Sequence, residues 1–107
     1  MNDDIKLKSD ALRIAQDLLN SDEVYLDKVI ELWKIGNEIH GQCWDTEFHI
    51  FGVIESDTDH LPIEKIRENC SKTMLENADK ELTNVIDFYK QDVVQACNDI
   101  LSKYKNV

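Results

Sequence analysis

Residues 73–104, TMLENADKELTNVIDFYKQDVVQACNDILSKY, decide the fold. Within them Leu75, Ala78, Leu82, Val85, Ile86, Tyr89, Val93, Cys97, Ile100, Leu101 and Tyr104 recur mainly at steps of three and four. That spacing places side chains on one face of an α-helix. A stripe maintained for about thirty residues predicts one helix ~45 Å long at ~1.5 Å rise per residue. Ser71 or Thr73 is expected to open it, and Thr73 with Glu76 has the form of a capping box. Several stripe positions are small or flanked by polar residues, so a covering made of the rest of the chain is expected rather than a coiled coil.

Upstream, the same periodicity is sought in shorter segments. Ala11, Leu12, Ala15, Leu18 and Leu19 predict a first helix over about Asp10 to Leu19. Asn20 or Ser21 can cap a second helix from about Asp22 to near Ile39, with Leu26, Val29, Ile30, Trp33 and Asn37 on one stripe and Trp33 as a core anchor. Gly36 and Gly41 bracket its end, and Gly41 is the better C-cap. Trp44 to Ile54 is dense in aromatic and β-branched residues, which also suits a strand. No second strand candidate exists to pair with it, and an isolated strand leaves backbone groups unsatisfied. A helix capped by Asp45 or Thr46 is therefore expected. Glu55 to Leu61 reads as a polar loop, and Pro62 fits the first position of a short helix through about Asn69.

The chain has 107 residues, 42% of them apolar, with only three glycines and one proline. This length suits a single domain, residues 1–107, with one modest core. So few turn-formers disfavour an all-β fold. The expected fold is all-α: a small irregular helical bundle with one long C-terminal helix. No run of apolar residues is long enough to span a membrane. The N-terminal MNDDIKLKSD lacks the apolar core of a secretory signal. The three cysteines (Cys43, Cys70, Cys97) form no CxxC pair, so reduced thiols and a cytoplasmic location are expected, with Cys97 as a small core residue.

Charge is the strongest functional signal. The net charge is −10, and it is unevenly spread: residues 1–60 hold fourteen Asp/Glu against five Lys/Arg, whereas residues 61–107 hold eight against seven. Such a field repels nucleic acid and anionic membranes and steers association with basic partners. Trp44, Asp45, Glu47, Glu55, Asp57 and Asp59 lie close together in sequence as carboxylates beside an aromatic. Arg- or Lys-rich surfaces bind such arrangements through charge-assisted hydrogen bonds, so these six are the candidate partner-binding residues. Asp22, Glu23 and Asp27 make a second patch.

Other chemistry finds weaker footing. Started at Glu55 or Asp57, an EF-hand loop would place His60 or Pro62 where glycine is required. His40, Cys43, His49 and His60 have zinc-ligand atom types, but their spacing matches no compact zinc motif. A Cys–His–Asp arrangement lacks a glycine-rich oxyanion loop or a nucleophile elbow. No catalytic residue, metal site or cofactor is assigned. A metal-dependent hydrolase using His and carboxylates, and an uncharacterised scaffolding protein, are the alternative readings.

The stretch FHIFGVIESDTDHLPIEKIR (residues 48–67), followed by Leu75, Asp79-Lys80-Glu81, Phe88-Tyr89 and Ala96-Cys97, resembles a family of small bacterial helical proteins of largely uncharacterised function. Those carry a Ser-Glu/Asp-Thr-Asp-x-Leu-Pro loop before a long terminal helix with an Ala-Cys pair near its end. The resemblance covers residues 45 to 104 and is most specific at Ser56 to Pro62. Small acidic helical proteins of this kind also look like immunity proteins of contact-dependent growth inhibition systems, which neutralise a toxin domain, often a nuclease. What the resemblance implies is a non-enzymatic inhibitor whose partner is a basic toxin domain, a ribonuclease or other nuclease. It carries over no catalytic assignment.

Overall fold

Four α-helices account for most of the residues that a computed structural model of the chain describes, 2–21, 25–59 and 67–105, and no strand occurs among them. They are α1 (Asn2–Asn20), α2 (Tyr25–His40), α3 (His49–Thr58) and α4 (Lys72–Tyr104). Helix α1 packs against α4 and α2, α2 against α3, and α3 against α4, so the contacts close into a ring around one core. Helix α4 runs along the 45 Å length of the molecule.

Each helix supplies a stripe to this core. Ala11, Ile14, Ala15 and Leu18 come from α1, Leu26, Val29, Leu32 and Ile35 from α2, Phe51 and Ile54 from α3, and Val93, Cys97, Ile100 and Tyr104 from α4. Helix α1 begins eight residues before the expected Asp10. Its first turns are mostly polar or charged, yet Leu7 packs against the core and Lys8 lies 5.8 Å from the centroid of the Tyr104 ring while pairing with Asp4 at 3.0 Å. In α2 the buried face is rotated from the predicted stripe. Leu32 and Ile35 are inside, and Trp33 is half-buried at the core edge rather than its anchor. The expected cap at Asn20 or Ser21 borders residues 22–24, which lie outside the described ones. The aromatic centre is made instead by Phe48 and Phe51, both fully buried.

The α2–α3 connection is built on close approaches. Gly41 has φ 80 and ends α2, with its N–H donating to the Asn37 carbonyl at 2.8 Å, as the sequence predicts. Inside α2, Gly36 faces Phe48 so closely that a Cβ there would lie 2.5 Å from Phe48 Cγ. The segment expected to be capped by Asp45 or Thr46 is helical, but it starts later, at His49. Thr46 holds the turn leading into it: its hydroxyl donates to the Cys43 carbonyl at 2.5 Å and accepts from the Phe48 N–H at 3.1 Å.

The expected loop from Glu55 onward is corrected as well. Helix α3 continues through Glu55, Ser56, Asp57 and Thr58 before a turn at Asp59. Thr58 is buried because its hydroxyl donates to the Ile54 carbonyl one turn back, at 2.7 Å. Ser56 and Asp57 face solvent, which a helix surface tolerates as readily as a loop does. The helix expected from Pro62 falls largely outside the described residues. Ser71, not Thr73, caps α4, its hydroxyl accepting the Met74 N–H at 3.2 Å.

Candidate functional site

Along α4, the residues Glu81, Val85, Phe88, Asp92, Gln95 and Asp99 alternate by four and three, which aligns them on one face. On α3, Ile50, Val53 and Asp57 do the same. Because α3 packs on α4, the two stripes flank a shallow groove on the outside of the bundle. One stretch, of about 380 Å³, lies over Ile50, Val53, Ala96, Asp92 and Asp99 and reaches Thr46, Glu47 and His49. The other, of about 300 Å³, lies over Val85, Phe88, Asn84, Asp57 and Glu81. Tyr89 lines both.

The floor is apolar and the rim is acidic. Asp57, Glu81, Asp92 and Asp99 contribute carboxylates, and among the described residues no Lys or Arg lines either stretch. Lys90 lies elsewhere on α4, where it lines a separate hollow with Leu18, Tyr25 and Val93. Tyr89 ties the walls together: its hydroxyl donates to Asp57 Oδ2 at 2.6 Å, a bond that raises the pKa of the phenol by favouring its protonated form. Gln95 Nε2 donates to Asp99 Oδ1 at 2.9 Å. Phe88 is 77% exposed and meets the Tyr89 ring edge-on, with centroids 4.8 Å apart. Phe88 thus adds exposed apolar area to the acidic rim.

The six residues singled out from the sequence are distributed around this groove unevenly. Asp57 lies in it. Trp44, 47% exposed, stacks edge-on against the groove residue His49 at 5.2 Å, and the Asp45 N–H donates to His49 Nδ1 at 3.1 Å. Asp45 adopts φ 63, a left-handed conformation that Asp tolerates in turns. Asp59 is exposed just past the end of α3. Glu55 is half-buried and near enough to Cys43 to disfavour its thiolate. Of the second patch, Asp22 and Glu23 lie outside the described residues, and Asp27 is half-buried in the first turn of α2.

Glu47 reaches the end of the groove, but its carboxylate is engaged inward. His40 Nε2 lies 2.8 Å from Oε1, Lys103 Nζ lies 3.3 Å from Oε2, and the Tyr104 hydroxyl donates to Oε1. Only 9% of the side chain is exposed. Burial alone would raise its pKa; the hydrogen bonds from Tyr104, His40, its own backbone and Lys103 outweigh that and hold it down at about 2. Burial and the same carboxylate push the Tyr104 phenol well above its usual range.

Other chemistry gains no geometry. Among the described residues no group of three or more His, Cys, Asp or Glu side chains is placed to hold a metal ion. Burial raises the Cys43 thiol and pushes Cys97 up to about 12, so neither offers a thiolate at neutral pH. Among the described residues no helix is long and apolar enough to cross a membrane. Compared with known proteins, the chain matches no family model, no curated protein and no solved structure.

The residues missed from sequence are Phe88, Tyr89, Asp92 and Asp99. Their signal is the spacing of Glu81, Phe88, Asp92 and Asp99 by seven, four and seven residues, which keeps them on one helix face. A tally by halves of the chain hid it, since Lys80, Lys90, Lys103 and Lys105 cancel these acids in number while none of them lines the groove.

Proposed function

We propose that this protein is a non-enzymatic inhibitor that captures a basic protein partner across the α3/α4 face, in the manner of an immunity protein that blocks a bacterial toxin domain, a nuclease in particular. The observation that carries the reading is the groove itself: an apolar floor rimmed by Asp57, Glu81, Asp92 and Asp99, with no Lys or Arg lining it among the described residues. Inhibition is by occlusion. Nuclease clefts present Lys and Arg to substrate phosphates, and these carboxylates take the phosphates' place through charge-assisted hydrogen bonds. Phe88 supplies apolar area at the centre of the contact, where aromatic anchors contribute most. The net charge of −10 accelerates encounter with a positive partner. An interface of ordinary size takes ~800 Å² from each side, so the contact would extend beyond the groove onto its flanks.

Copurification from the native operon tests the reading. A basic partner recovered in a stoichiometric complex, with an on-rate that falls as salt rises, is the expected result. Recovery of no basic partner, or turnover of a substrate by the isolated protein, would overturn it.

A further inference from the structure

We infer that the occupant of the α3/α4 groove is an amphipathic α-helix of the basic partner, about five turns long, with apolar residues through its middle and Lys or Arg toward both ends; this rests on the binding reading above.

Three observations lead there. The first is the backbone chemistry of the walls. Both are helices, whose interior N–H and C=O groups are already paired, so the groove has no sheet edge to offer. An extended segment laid along it would bury backbone groups without partners, whereas a helix arrives with its own satisfied. The second is spacing. The α4 stripe from Glu81 to Asp99 repeats by four and three, the 3.5-residue period that lets a neighbouring helix stay in register at a shallow crossing angle of about 20°. At ~1.5 Å per residue that stripe is about 27 Å long, which an 18-residue helix would match.

The third is the order of chemistry along the groove. Along the α4 stripe Glu81 marks one end, Asp92 and Asp99 lie toward the other, and Val85 and Phe88 lie between, with Asp57 held across from them on α3 by Tyr89. A complementary helix therefore carries basic residues outside an apolar centre. A second copy of this chain is a poor occupant, since its own groove stripe would bring Glu81, Asp92 and Asp99 against the same acids.

The probe is a synthetic 18-residue peptide with Leu at alternating three- and four-residue steps in its middle and Arg at the facing positions near each end. Its control is the same peptide with two central residues replaced by proline, which keeps the charge and breaks the helix. The intact peptide is expected to bind the full-length protein with a micromolar Kd, gain helical circular dichroism, and shift the amide resonances of Val85, Phe88, Asp92 and Val53. Phe88→Ser and the double variant Asp92→Lys with Asp99→Lys should each weaken binding at least ~tenfold. All three positions are exposed, and unchanged circular dichroism of the variants checks that they fold.

Equal binding of the proline-interrupted peptide would overturn the helical occupant while leaving a basic partner in place. Failure of both peptides to bind, or resonance shifts confined to other faces, would also overturn it. The binding reading itself stands or falls separately, on whether the operon yields a basic partner.

Discussion

The molecule holds two kinds of carboxylate along one stretch of groove, and they have opposite duties. Glu47 closes the bundle. It gathers the end of α2 through His40 and the end of α4 through Lys103 and Tyr104, and its pKa is driven down to about 2 by those bonds. Asp92 and Asp99 sit on the outer face of α4, exposed, where their charge projects into solvent. One contributes to folding; the others contribute a field. The contrast teaches that acid content alone says little about a recognition surface until inward-facing and outward-facing carboxylates are told apart.

The largest expected effect lies on the inward side. Glu47→Gln should lower stability by about 3 kcal/mol at neutral pH, read from urea unfolding, because the carboxylate's depressed pKa is itself a stability contribution. The sign follows from the direction of the shift. An acid whose pKa is lower folded than unfolded stabilises above its unfolded value, here near 4.5, and loses that contribution as pH falls toward about 2. The wild-type protein should therefore lose stability across that window, and Glu47→Gln should show a flatter acid limb; an unchanged slope would break the contrast.

Smaller effects sharpen the same end of the molecule. Gly36→Ala should cost about 2 kcal/mol, since a Cβ 2.5 Å from Phe48 Cγ forces a fully buried ring to move. Gly41→Ala should cost about 1 kcal/mol, because φ 80 strains a residue with a side chain although nothing crowds the site. On the outward side, Asp92→Lys with Asp99→Lys should change stability by less than about 0.5 kcal/mol in thermal unfolding. The same double variant should slow association with the proposed basic partner roughly tenfold in stopped-flow mixing. A large loss of stability there would show that these acids, like Glu47, serve the fold.

The long helix was legible because its stripe from Leu75 to Tyr104 survives over many turns, and the first helix because Ala11, Ala15 and Leu18 share its period. Helix α3 was legible by elimination, as its apolar patch had no strand to pair with. Its extent was not, since Glu55, Ser56 and Asp57 on an exposed helical face have the composition of a loop, and only the inward turn of Thr58 distinguishes them. The rotation of α2 was hidden by Trp33, whose size promises burial but whose position falls at the margin. For the site, Trp44, Asp45 and Asp57 were legible from their nearness in sequence. Phe88, Asp92 and Asp99 belong to the same surface only because α3 folds back onto α4, and a linear charge count cannot register that.

The three cysteines offer a consequence of a practical kind. Cys43 and Cys97 are shut inside the core with their thiols held in the protonated form, whereas Cys70, just ahead of α4, is half-exposed. A maleimide dye added to the unmodified polypeptide should therefore attach at one place. That gives a single native attachment site without an engineered cysteine, and it leaves Phe88 and its neighbours untouched.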